Sequence, residues 1–217
     1  MKKIILSLIL IFNVSLIYAE SPGSFRGKET HGFGFGIEGT GLAGSLFYDY
    51  AINSDMQIHA LVGSAGASRS AGSVATLVTN NTTIGATLRY FPSENFGFYL
   101  GAGGGMLSAS QSMKQSIYCT EYREETVTEC SGKEDQVVSG STSSTFSGIG
   151  LWTDLGWQGY DGFYFTIGLK AGTSMKLSED DKTAEIMDIS NHQATAKGDF
   201  DAYKSPTGLI MTFGWHF

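Results

Sequence analysis

The chain has 217 residues, with 14 Lys and Arg against 21 Asp and Glu and a formal net charge of −7. An acidic balance of that size excludes nucleic acid as a partner, since binding there needs a basic face. With 29 glycines but only 3 prolines, the composition also excludes a collagen-like or proline-rich disordered chain.

Met1, Lys2 and Lys3 open the chain, followed by an apolar run from Ile4 to about Tyr18 and then Ala19. A basic start, a short apolar core and a small residue before Glu20 predict a secretory signal peptide over residues 1–19. Asn13 and Ser15 interrupt the run, which is shorter than the roughly 20 residues a spanning helix needs. No cysteine lies near the cleavage site, so a lipoprotein anchor is not expected. The expected mature domain, residues 20–217, keeps 12 of the basic residues against all 21 acidic ones. Its mean hydropathy near −0.03 is that of a soluble protein. In a membrane barrel, however, inward polar residues dilute outward apolar ones in any window.

Period-two alternation then predicts eight strands. The first, about His31 to Glu38, sets Phe33, Phe35 and Ile37 against Gly32, Gly34 and Gly36. The second, about Leu42 to Ala51, carries Leu42, Leu46, Tyr48 and Tyr50 on one face. The third, about Met56 to Gly63, sets Met56, Ile58, Ala60 and Val62 against Gln57 and His59. The fourth, about Thr82 to Phe91, sets Ile84, Leu88 and Tyr90 against Thr83, Thr87 and Arg89. The fifth, about Phe96 to Leu107, sets Phe98, Leu100 and Met106 against Tyr99, Gly101 and Gly105. The sixth, about Phe146 to Trp157, sets Ile149, Leu151, Leu155 and Trp157 against Gly150, Trp152 and Asp154. The seventh, about Phe163 to Ala171, sets Phe163, Phe165, Ile167 and Leu169 against Tyr164, Thr166 and Lys170. The last, Thr207 to Phe217, sets Leu209, Met211, Phe213, Trp215 and Phe217 against Gly208, Ile210, Thr212, Gly214 and His216.

Tight turns are expected at Asn53-Ser54-Asp55, at Pro92 to Asn95 and at Gly159 to Gly162. The first and second strands join shortly through Gly39-Thr40-Gly41, while the connections 3–4, 5–6 and 7–8 read as long polar loops. Tyr48, Tyr50, Tyr90, Phe91, Phe96, Phe98, Trp157, Phe163, Phe165, Trp215 and Phe217 fall at the short-turn ends, as in the interfacial girdle of a membrane barrel. The expectation is an all-β chain, an eight-stranded antiparallel up-and-down transmembrane β-barrel following a cleaved signal peptide. A soluble lipocalin-like barrel would instead place its apolar faces inside.

The terminal Phe213-Gly214-Trp215-His216-Phe217 and the segment Phe98 to Gly105 resemble the small outer-membrane β-barrels of the OmpA, OmpX/Ail and opacity-like surface-antigen type. The resemblance implies an outer-membrane location with both termini periplasmic and long loops outside. It implies outer-membrane lipid and the barrel-assembly machinery as partners, with Phe213, Trp215 and Phe217 as the assembly signal. It carries over no active site.

Charges on the inward face are the sharpest internal feature. Glu38, Asp49, Arg89, Asp154 and Lys170 are expected to form an ion-pair network, because charges removed from water must be paired. Asp49, His59, Arg89, Asp154 and His216, with Tyr99 and Tyr164, are expected toward the short-turn end, and Glu38 and Lys170 toward the other. Arg89 is expected to pair with Asp49 or Asp154. Eight strands enclose an interior just wide enough for side chains to fill, which argues against a general diffusion porin. Cys119 and Cys130, both between the fifth and sixth strands, are expected to form a disulfide in an oxidising compartment, stapling a projecting loop of roughly residues 108–145. An extracellular ligand, if there is one, is expected on that loop. Glu179, Asp180, Asp181, Glu185 and Asp188 read as a solvated acidic loop without calcium-site spacing. No serine beside a histidine has a recognisable catalytic spacing, so neither catalytic, metal nor cofactor-binding residues are assigned. The function expected is a monomeric surface-interaction protein. A narrow small-solute channel is the alternative, and a lipid-modifying enzyme the third reading.

Overall fold

The computed structural model describes residues 26, 28–39, 43–71, 75–93, 96–118, 137–159, 163–180 and 200–217. The expected signal peptide, Cys119 and Cys130 lie outside the described residues. Eight strands account for almost all of what is described: β1 (His31–Gly39), β2 (Gly44–Ala51), β3 (Met56–Ala71), β4 (Ala75–Tyr90), β5 (Phe98–Tyr118), β6 (Val137–Gly159), β7 (Phe163–Asp180) and β8 (Gly208–His216). Each pairs antiparallel with the next, and β1 pairs β8, so the sheet closes into a barrel. Closure gives every strand in the ring two partners and removes the unpaired edges of an open sheet.

Alternation decides which way each side chain points. Phe33, Phe35, Leu46, Ile58, Leu88, Leu100, Leu155, Ile167, Met211 and Trp215 all face outward and are exposed. Asp49, Gln57, His59, Thr87, Arg89, Gln158 and Thr212 face inward and are fully buried. Large inward side chains fit because the neighbouring strand offers glycine. A Cβ on Gly214 would lie 2.8 Å from Tyr164 Cζ, and one on Gly150 would lie 2.8 Å from Leu107 Cδ1. Gly39 ends β1 with φ +90°, a backbone conformation that L side chains rarely adopt.

Three strand boundaries correct the sequence reading. The connection between the third and fourth strands is a continued ladder from Met56↔Tyr90 to Ala71↔Ala75. Pairing of β5 with β6 runs from Phe98↔Trp157 to Tyr118↔Val137, so most of the expected loop 108–145 is strand. β7 likewise continues to Asp180, with a register shift between Ser147 and Gly148 on its partner. β1, β2 and β8 are short, so β3 to β7 rise beyond them as a five-stranded wall.

The outer face changes character between two adjacent register rows. Val62, Ile84, Met106 and Ile149 form one row across β3 to β6, and Ser64, Thr82, Ser108 and Ser147 form the next outward-facing row. Beyond it the exposed outward residues of β4 to β6 include Asn80, Ser110, Thr145, Ser112 and Ser143, with the half-buried Val78 paired to Ser112. The inward face of the wall holds an apolar cluster of Leu107, Ala109, Phe146 and Phe200, with Tyr203 packed against it.

Candidate functional site

The lumen holds the buried charges, in a chain of contacts that crosses the ring. On β1, Glu38 accepts from the Lys170 ammonium of β7 and lies 3.0 Å from His59 Nε2 of β3. On the other side of the imidazole, Nδ1 is 2.6 Å from Asp49 Oδ1 of β2. The Tyr164 hydroxyl of β7 donates to Asp49 Oδ2 at 2.5 Å. All five side chains are at most 3% exposed. Glu38 and Lys170, expected in a separate tier from Asp49 and His59, are thus joined to them. His59 is the link, and the sequence reading did not include it in the ion-pair network.

Arg89 of β4 stands 3.5 Å from Asp154 of β6 through Nε and Oδ2. Asp154 rather than Asp49 is therefore its ion-pair partner. The separation exceeds that of a good charge-assisted hydrogen bond, and among the described residues neither group makes a direct one. The guanidinium carbon instead lies 4.6 Å from the centre of the Tyr99 ring. Lys170 Nζ is similarly placed 4.6 Å over the Trp152 ring, whose Nε1 donates to Thr87 Oγ1 at 2.8 Å. Paired charges and cation–π contacts offset the cost of removing these groups from water.

Each mouth is covered by a residue from outside the strands. At the short-turn end Arg26 is fully buried, its guanidinium carbon 3.7 Å over the Phe91 ring and its Nε donating to the Ser54 carbonyl at 2.7 Å. Phe91, expected in the outer aromatic girdle, is 0% exposed and faces inward. Residue parity requires this, since Tyr90 beside it faces out. At the other end, residues 200–203 form one helical turn that places Phe200 under the wall. Lys204 then bonds Glu179 of β7 and, at 2.8 Å, Asp201. The Glu179 carboxyl is held below the usual carboxylate range by the hydrogen bond from Lys204, against the opposing effect of burial. Burial pulls the Lys204 ammonium down, but its bonds to Asp201 and Glu179 outweigh this and raise it. Ser205 Oγ donates to the Gly172 carbonyl at 3.2 Å, which ties the segment to β7.

Phe213, Trp215 and Phe217, the expected assembly signal, lie on the outer face and are 39%, 50% and 69% exposed. Glu179 and Asp180 of the expected acidic loop belong to β7, whereas Asp181, Glu185 and Asp188 lie outside the described residues. Among the described residues, no group of three or more His, Cys, Asp and Glu side chains is arranged to hold a metal ion. Neither a protein-family model nor a curated protein matches this chain.

Proposed function

We propose that this chain is an integral outer-membrane β-barrel of the small OmpA, OmpX/Ail and surface-antigen type, exported by a signal peptide over residues 1–19. It meets its surroundings through the wall of β3 to β7 and the segments that wall carries. The observation that carries the reading is the inverted polarity of the ring, with apolar residues out and buried charges in. Burying a Leu, Ile or Phe side chain is worth about 1.5–3 kcal/mol, so an exterior built from so many of them favours hydrocarbon as its solvent. The change from Val62, Ile84, Met106 and Ile149 to Ser64, Thr82, Ser108 and Ser147 within one outward step fits the edge of a lipid layer.

A lumen crossed by five linked side chains and covered at both mouths favours a closed barrel over a solute channel. The role then lies outside the lumen, on the wall whose strands β5 and β6 are joined in sequence by residues 119–136. Refolding residues 20–217 from urea tests the membrane reading. The chain should reach a strand-rich, heat-modifiable state only with detergent or lipid vesicles, and folding to a dispersed state in plain buffer would overturn it. Deleting Phe217 should leave exported chain unassembled, and normal insertion would remove the assembly role. A binding survey comparing the intact protein with one lacking residues 119–136 tests the surface role, which fails if the two bind alike.

A further inference from the structure

His59 is placed between two acids, and its own chemistry sets a limit on how many protons the three groups hold. A neutral imidazole has one N–H and one lone pair. Here Nδ1 faces Asp49 Oδ1 at 2.6 Å and Nε2 faces Glu38 Oε2 at 3.0 Å, with all three side chains buried. With both acids ionised and the ring neutral, one nitrogen lone pair would face an anionic oxygen at hydrogen-bond distance. That arrangement has no attractive contact at one of its two junctions. Only an extra proton, on the second ring nitrogen or on one carboxyl oxygen, makes both junctions hydrogen bonds.

The charges facing His59 from the rest of the barrel lead to the same count. Among the described residues, the buried charges of mid-lumen are Glu38 from β1, Asp49 from β2, Arg89 from β4, Asp154 from β6 and Lys170 from β7, the first two in contact with His59. Tyr99 of β5 and Tyr164 of β7 contribute neutral hydroxyls. His216 of β8 has its ring 4.4 Å from Tyr164 and its Nδ1 3.4 Å from a carbonyl oxygen, that of Glu29. At the short-turn mouth Arg26 and Glu29 carry one charge of each sign. Among the described residues three buried acids therefore face Arg89 and Lys170 in mid-lumen, and one shared proton balances their charges.

We propose that Glu38, His59 and Asp49 bind one proton jointly, and that this proton is the third positive charge of the lumen. Its loss leaves Glu38 bonded to Lys170 and Asp49 bonded to Tyr164, but removes the bridge between them. The β1–β2–β3 side of the lumen is then held to β7 by two separate contacts rather than one continuous chain. The proton thus makes the tightness of the lumen a function of pH. The inference goes beyond the membrane reading and stands on the ring geometry alone.

The test is nitrogen and carboxyl-carbon NMR on the folded full mature chain labelled at histidine, aspartate and glutamate. At pH about 7.5, one unit above the ordinary imidazole value, the trio should still show the extra proton, either as a doubly protonated His59 ring or as one protonated carboxyl. Finding a singly protonated ring with Glu38 and Asp49 both ionised at pH about 6 would overturn the proposal. Glu38→Gln and Asp49→Asn should each lose the extra proton at the higher pH while keeping the ring in place. The unfolding midpoint of the unaltered protein should fall as pH rises through the measured deprotonation, and that of His59→Gln should stay flat. If the variants do not fold, the unaltered protein's spectrum decides the question alone. Folding without detergent would defeat the membrane reading and leave this result standing.

Discussion

Two regions of the same strands obey opposite rules. Within the closed ring, β5 and β6 point Leu100 and Leu155 outward and Tyr99 and Asp154 inward. In the wall, those strands point Ser110 and Ser143 outward and Leu107 and Phe146 inward, against Phe200. Strand geometry does not change between them, since the β5–β6 register continues without a break. Only the composition of each face changes. The wall is built like a water-soluble sheet whose inner face is covered, and the ring like a sheet whose outer face is covered by something apolar. On the proposed membrane reading, one hairpin meets two solvents.

The largest effect should come from the charges on which the ring depends. Arg89→Met leaves Asp154 buried without its ion-pair partner, and breaking a buried pair in this way costs about 3–5 kcal/mol. Urea unfolding of the refolded protein should show that loss. The double variant Arg89→Met with Asp154→Leu should recover at least half of it, because no uncompensated charge remains. Additive losses would mean that the two residues are not coupled, despite the 3.5 Å separation. Among the described residues, the wall holds no charge buried to that degree.

A pair of identical substitutions probes the outer faces directly. Leu155→Arg places a cation on the outward face of the ring, where Leu155 is 47% exposed. At the middle of a lipid-facing belt this should cost about 2–4 kcal/mol, read as weaker folding into vesicles. Ser110→Arg, on the same face of the neighbouring strand but in the wall, should fall within about 0.5 kcal/mol of no change. Equal losses at the two positions would erase the distinction between ring and wall.

The ring was legible in the sequence and the wall was not, for one physical reason. Phe33-Gly34-Phe35-Gly36 and Phe163 to Lys170 alternate large apolar with small or polar residues, a contrast that marks a strand unambiguously. In Ser108-Ala109-Ser110-Gln111-Ser112 the period of two persists, but with hydroxyls against small or amide side chains the hydropathy contrast disappears. The strand is still there because pairing with β4 and β6 on both sides supplies what its own pattern does not announce. In the lumen, inward parity located Glu38, Asp49, Arg89, Asp154 and Lys170 on the strands. Which of them meet depends on the stagger of strands around the ring, which alternation does not carry. Alternation alone therefore sets Glu38 in a tier apart from His59, although the two touch. Arg26 and Phe200 lie in segments without any periodicity, so nothing in the sequence marked them as covers for the mouths. Phe91 was legible and was missed: its odd parity beside the outward Tyr90 already pointed it inside.

The smallest expected effect lies where the wall meets its cover. Lys204 bonds Glu179 and Asp201 at a partly exposed site, and the Lys204 Nζ also lies 4.4 Å over the Phe200 ring. Glu179 is held below its ordinary range, so its contribution is present above the ordinary carboxylate value, about 4.3, and is lost as pH falls through the lowered one. Lys204 is raised, so its contribution is present below about 10.4 and is lost as pH rises through the raised value. Between these limits the latch should be insensitive to pH. Solvent screening keeps an exposed pair of this kind at or below about 1 kcal/mol, and added salt should reduce it further. Lys204→Met should therefore leave global unfolding nearly unchanged while speeding amide exchange across residues 200–205. The same local loosening should appear in the unaltered protein on acidification below the carboxylate range, without loss of the ring. If Lys204→Met destabilised the whole barrel as much as Arg89→Met, the cover would be part of the ring's own stability and the two regions would form one cooperative unit.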